Sequence, residues 1–171
     1  MNHLREIMKR RIYDFNELNH ICSKHYKDKG YCGVIATSVA AQVSVGKARG
    51  TLHGKQHFKP RTLNKGTNML TIKQSLENLG CDVVNILMPE TPNAVNCGAA
   101  RYSSKYNTLG KTCRELPTDG VYLVHTTRHI TCVEYGQIID WASSSSKYKV
   151  VDIYKVERQF EEIKRESSCK Q

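Results

Sequence analysis

Apolar positions recur along this chain with two periods, a helical one over the first half and a strand-like one over the last third. Leu4, Ile7, Met8, Ile12, Phe15, Leu18, Ile21, Cys22 and Tyr26 keep helical spacing for about seven turns. Asp14, with Glu17 three positions on, predicts a capping box that divides this run into two helices. From Val34 onward the residues are small or apolar on nearly every side, as expected of a helix running through the core. Ser44 to Phe58 predicts a second short helix, and Lys59 to Thr67, with Pro60 and Gly66, a surface loop. Leu70, Ile72, Leu76 and Leu79 fit one further helix, with Gly80 as its C-terminal stop.

Beyond Gly80 the pattern changes. Cys81 to Leu87 reads as a strand, and Pro89 to Tyr106 has no period and predicts a long loop of the kind that borders a binding site. Thr108 to Leu116 predicts a helix capped by Thr108 or Asn107. Gly120–His125, His129–Glu134 and Gln137–Trp141 read as strands, the last two joined by a Tyr135-Gly136 hairpin turn. A polar loop, Ala142 to Ser146, leads to a last strand over Lys147 to Val156, and Arg158 to Gln171 is expected to be a charged helix or frayed end. The expected class is α+β, with N-terminal helices followed by a C-terminal antiparallel sheet. No repeat or composition shift divides the 171 residues, so one domain is expected, with a basic helical extension over 1–28, a core over 29–156 and a charged tail over 157–171.

Composition narrows the class. No apolar run approaches a membrane span and the first residues are too charged for a signal peptide, so a cytoplasmic protein with no membrane partner is expected. Seven cysteines, an odd number without regular spacing, fit a reducing compartment rather than a disulfide framework. The formal charge of +10 is unevenly spread, because residues 30 to 76 carry no Asp or Glu. Lys47, Arg49, Lys55, Lys59, Arg61 and Lys65 therefore form a candidate partner-binding surface for an acidic protein or, without sequence preference, nucleic acid. Only Phe58 interleaves with them, which argues against base stacking. His20, Cys22 and His25 do not share a helix face, and His53 with His57 has no acidic neighbour, so no metal is expected.

The chemistry centres on Lys29-Gly30-Tyr31-Cys32-Gly33, a turn that delivers a thiol to a helix N-terminus, with Gly33 leaving space beside the sulfur. Unpaired N–H groups and the positive end of the helix dipole favour the thiolate there, and the thiolate is the nucleophile. If Tyr135 and Gly136 form a two-residue loop, Thr131 lies opposite Asp140, and His129 and Asp140 sit diagonally on one face of the hairpin. A bulge at Gly136 would shift that register.

The order of these pieces resembles small papain-like cysteine peptidase-fold proteins of bacteriophages and bacteria. The matching stretches are Tyr31–Thr37, the helix ending at Leu79-Gly80, Thr108–Lys111, Gly120–Ile130 and Val133–Trp141, over roughly residues 30 to 156. The resemblance implies a papain-like fold in which Cys32 is the nucleophile, His129 the base and Asp140 the residue that orients the base. His125, four residues earlier, is the rival base. It further implies hydrolysis or acyl transfer at an amide or isopeptide bond of a protein or peptide, with no cofactor, in a host cytoplasm if the chain is phage-encoded. Family members carry a Gln or Asn a few residues before the nucleophile; here Lys27 to Tyr31 hold no amide side chain, and Asn19 is distant in sequence. The oxyanion is then expected to rest on the Cys32 N–H and a loop donor. The alternative is an inactive papain-fold binder that acts through its basic surface.

Overall fold

Helix α1 (Phe15–His20) starts at Asp14, whose carboxylate accepts the Asn16 N–H at 2.8 Å, and so satisfies one orphan donor of the first turn. The computed structural model describes residues 14–53, 67–86, 108–140 and 147–159. Helix α1 does not continue at regular α pitch. It widens into a π-helical turn over Ile21–His25 that closes from Tyr26 N to Ile21 O. Leu18 and Cys22 are buried in the main core, with Phe15, Ile21 and Tyr26 packed on it. The N-terminal segment from Phe15 on is thus part of the core, where an extension was expected.

Helix α2 (Cys32–Ala41) runs through the centre, with Gly33 to Ala40 all buried, as its apolar sequence predicts. It packs on the sheet on one side and on α3 (Val45–His53) and α4 (Met69–Asn78) on the other. Asn68 caps α4 by accepting the Thr71 N–H, and Gly80 adopts φ +80° beyond its C-terminus. The α4 stripe is Met69, Ile72 and Leu76; Leu70, expected on it, is 66% exposed, because it lies across the helix from Ile72, two positions away. Gly33 sits where a Cβ would lie 3.0 Å from Ile72 Cδ1 and 3.3 Å from Thr67 Cβ. Its missing side chain admits α4 against α2.

The strands are β1 (Cys81–Asn85), β2 (Val121–Thr126), β3 (Ile130–Glu134), β4 (Gln137–Ile139) and β5 (Val150–Arg158). They form one antiparallel sheet in the order β1-β5-β2-β3-β4. Strand β5 extends to Arg158, so Glu157 and Arg158 belong to the sheet rather than to a tail. Alternation divides the side chains between two cores. Val121, Leu123, Ile130 and Cys132 face the α2 side, whereas Tyr122, Val124, Val133 and Ile153 face α5 (Leu109–Glu115). Thr108 caps α5 by accepting the Lys111 N–H.

The C-terminus of α2 is fastened to the sheet. Arg158 Nε donates to Ala40 O at 2.7 Å and its Nη2 to Val39 O at 3.1 Å and to Glu134 Oε1 at 2.8 Å. Gln42, in the left-handed region at φ 56°, ends the helix and donates to the same Glu134 oxygen at 2.8 Å. This cap holds the far end of the helix whose near end carries Cys32.

Candidate active site

Cys32 is the first residue of α2 and is half-buried. The first intrahelical bond runs from Ile35 N to Tyr31 O at 3.1 Å, so the N–H groups of Cys32, Gly33 and Val34 lie outside the helical ladder. The approach loop is locked from both sides. Lys27 and Gly30 take positive φ, 55° and 66°, and Asp28 N bonds to Cys22 O at 3.0 Å. The Asp28 carboxylate is fully buried and receives Arg49 Nε at 2.8 Å and Nη2 at 3.0 Å. Arg49 also stacks over the Tyr26 ring, 4.7 Å from its centroid. On the other flank Tyr31 donates its hydroxyl to Asn19 Oδ1.

His129 is delivered by a turn wound around buried Thr126. Its Oγ1 accepts the His129 N–H at 2.9 Å and the Arg128 N–H at 3.3 Å, while the Thr126 N–H donates to His129 O at 2.8 Å. The β3–β4 hairpin supplies the third residue. Tyr135 (φ 49°) and Gly136 (φ 80°) form the two-residue turn, Glu134 pairs with Gln137 and Cys132 with Ile139. Continued by one step, this register sets Thr131 opposite Asp140, without a bulge. His129 Nε2 lies 2.7 Å from Asp140 Oδ2, which also accepts the Thr131 hydroxyl.

Cys32 lies close enough to the His129 ring to raise its pKa, beside the hydrogen bond to Asp140. Burial by itself favours the neutral imidazole, but the hydrogen bond to Asp140, the proximity of Cys32 and the charges of both outweigh it. The ring is raised from 6.5 to about 9 and holds a proton at neutral pH. The other described cysteines are buried. Burial pushes Cys22 and Cys113 up to about 12, and raises Cys81 and Cys132 as well. The sequence-predicted trio is therefore brought together, and Cys32 stands apart from four inert thiols.

His125 lies opposite Asp152 on the neighbouring strand, its Nδ1 3.5 Å from Asp152 Oδ2. Of the expected basic surface, Lys47 is exposed on α3, while Lys55, Lys59, Arg61 and Lys65 lie outside the described residues. Arg49 does not belong to such a surface, because its guanidinium is committed to Asp28, a carboxylate 21 positions away in sequence. Among the described residues, no three His, Cys, Asp or Glu side chains converge as a metal site, and no helix is long and apolar enough to cross a membrane. The sequence alone gives Asn19 no role, does not single out Thr126, places Thr131 only as the residue opposite Asp140 and reads Arg49 only as a surface cation. The threonine at the end of β2, three residues before the histidine, was a local signal for the turn; nothing local pointed to the Arg49 pairing.

Comparison with family models, with curated proteins and with solved structures gave no match for this chain.

Proposed function

We propose that this chain is a papain-like cysteine hydrolase or acyltransferase acting on an amide or isopeptide bond. The observation that carries the reading is the Cys32–His129–Asp140 arrangement: a half-buried thiol at a helix N-terminus, beside an imidazole that a buried carboxylate holds. The reacting pair is the Cys32 sulfur beside protonated His129, the thiol proton residing on the ring, and the sulfur bonds to the carbonyl carbon of the substrate. The displaced carbonyl electron pair moves to oxygen, which the free N–H groups at the start of α2 stabilise. Collapse breaks the C–N bond, and the leaving nitrogen takes the proton from His129. In the second half, water adds to the thioester and gives its proton to His129; the C–S bond breaks, releasing the acid and restoring Cys32. An amine in place of that water gives transfer.

The test is site-resolved alkylation. With iodoacetamide at pH 6, Cys32 is expected to react before Cys22, Cys81, Cys97, Cys113, Cys132 and Cys169, and His129→Ala to slow it by at least about tenfold. Uniform labelling of the thiols, indifferent to His129, would refute the reading.

A further inference from the structure

Charge is distributed unequally between the two ends of the sheet. The loop before Cys32 carries exposed Lys27 and Lys29, and the turn before His129 carries exposed Arg128. Exposed Lys149 precedes Val150, the cross-strand partner of Thr126, and so lies at the same end. Three carboxylates described at this end, Asp28, Asp140 and Asp152, are engaged. Asp28 is sealed under Arg49, Asp140 is held by His129 and Thr131, and Asp152 lies against His125 and accepts from Asn85 at 3.1 Å. The exposed carboxylates of the sheet lie at the other end. Asp82 pairs with Glu157 in the register, next to the Val83–Val156–Val121 row, and Asp119 precedes Val121 by two residues. Five residue steps along β2 separate that row from Thr126, about 16 Å of strand.

We infer that the site selects acyl substrates with acidic side chains beside the reacting carbonyl, and that Lys27, Lys29 and Arg128 are the specificity-determining residues. The inference rests on the reaction proposed above and adds the substrate class to it. The backbone that carries two of these cations is fixed in place. Lys27 is held at positive φ between the Asp28–Cys22 bond and the Arg49 clamp, and the Arg128 N–H is tied to Thr126. A peptide is favoured over a nucleic acid because the reacting centre is built for a carbonyl, and described residues of these two loops supply only Tyr31 as an aromatic near the thiol.

The experiment compares the full-length chain with a triple variant, Lys27→Asn, Lys29→Glu and Arg128→Glu; Asn is chosen at position 27 because it tolerates the left-handed region. Cys32 is alkylated with anionic iodoacetate and with neutral iodoacetamide. In the wild-type protein the iodoacetate-to-iodoacetamide rate ratio is expected to exceed that of the variant by about five- to tenfold at low salt, and to converge on it at about 1 M salt. The iodoacetamide rate is the internal reference, so that any general change in Cys32 reactivity cancels in the ratio. Peptidyl vinyl sulfones with Glu, Ala or Lys next to the electrophile should label the wild-type protein fastest with Glu, and the variant should lose that order. An unchanged rate ratio, or equal labelling by the Glu and Lys probes, overturns the inference. So does salt-sensitive duplex DNA binding that the triple variant abolishes while the probes show no preference. A Cys32 insensitive to His129→Ala overturns the proposed reaction instead, and the charge-dependent ratio separates the two failures.

Discussion

Replacing Asp140 by Asn isolates what the carboxylate charge contributes, because the amide oxygen still accepts from both His129 Nε2 and the Thr131 hydroxyl. The rise of His129 from 6.5 to about 9 corresponds to a ceiling of about 3 kcal/mol in favour of the folded imidazolium. The ring keeps some solvent access, with 12% of the side chain exposed, and screening brings the expected contribution nearer 2 kcal/mol. The folded-state value lies above the unfolded one, so the folded chain binds the proton more tightly. Its contribution is complete below about pH 6.5 and is lost as pH rises through about 9. Asp140→Asn should therefore destabilise the protein by about 2 kcal/mol at pH 5.5 and by much less at pH 10. Urea unfolding of both proteins at the two pH values measures this, and titration of the buried cysteines and tyrosines cancels in the difference. An NMR titration of the His129 ring should find its midpoint back near or below the ordinary histidine value in the variant. A destabilisation that does not change between pH 5.5 and pH 10 would refute the assignment of an Asp140–imidazolium pair.

Arg49→Met should cost about 3–5 kcal/mol in urea unfolding, because it leaves the Asp28 carboxylate, 0% exposed, without its cation. Met at 49 combined with Asp28→Asn should recover part of that loss; no recovery would mean that Arg49 acts through its stacking on Tyr26. Arg158→Leu should likewise destabilise by several kcal/mol, about 3–5, since Glu134 stays buried and the Val39 and Ala40 carbonyls lose their donor; hydrogen exchange at the α2 C-terminus is the local readout. Gly136→Ala should cost about 1 kcal/mol or more in thermal unfolding, because φ is +80° and the new Cβ would lie 2.9 Å from Thr118 Cγ2.

Several decisive features were legible in the residues alone because they depend on neighbours two to four positions apart. The α2 start at Cys32, the Asp14 and Thr108 caps and the Gly80 stop follow from capping chemistry and apolar period. The hairpin is the clearest case. A two-residue turn at Tyr135-Gly136 sets the β3–β4 register, and that register aligns Asp140 with Thr131 and within reach of His129. Tertiary structure alone decided the rest. Arg49 reads as a free cation in a stretch without carboxylates, yet it closes over Asp28 from 21 positions away. Arg158 reads as the start of a tail, yet it caps α2 across 118 positions, and Gln42 reaches Glu134 across 92. Leu70 is apolar but faces solvent, because two helical positions separate it from Ile72 and place it across the helix from the buried stripe. Period and turn chemistry are short-range and survive in any context. Which buried charge meets which counter-charge is a property of packing, since the desolvation that makes each pairing obligatory exists only once the core has closed.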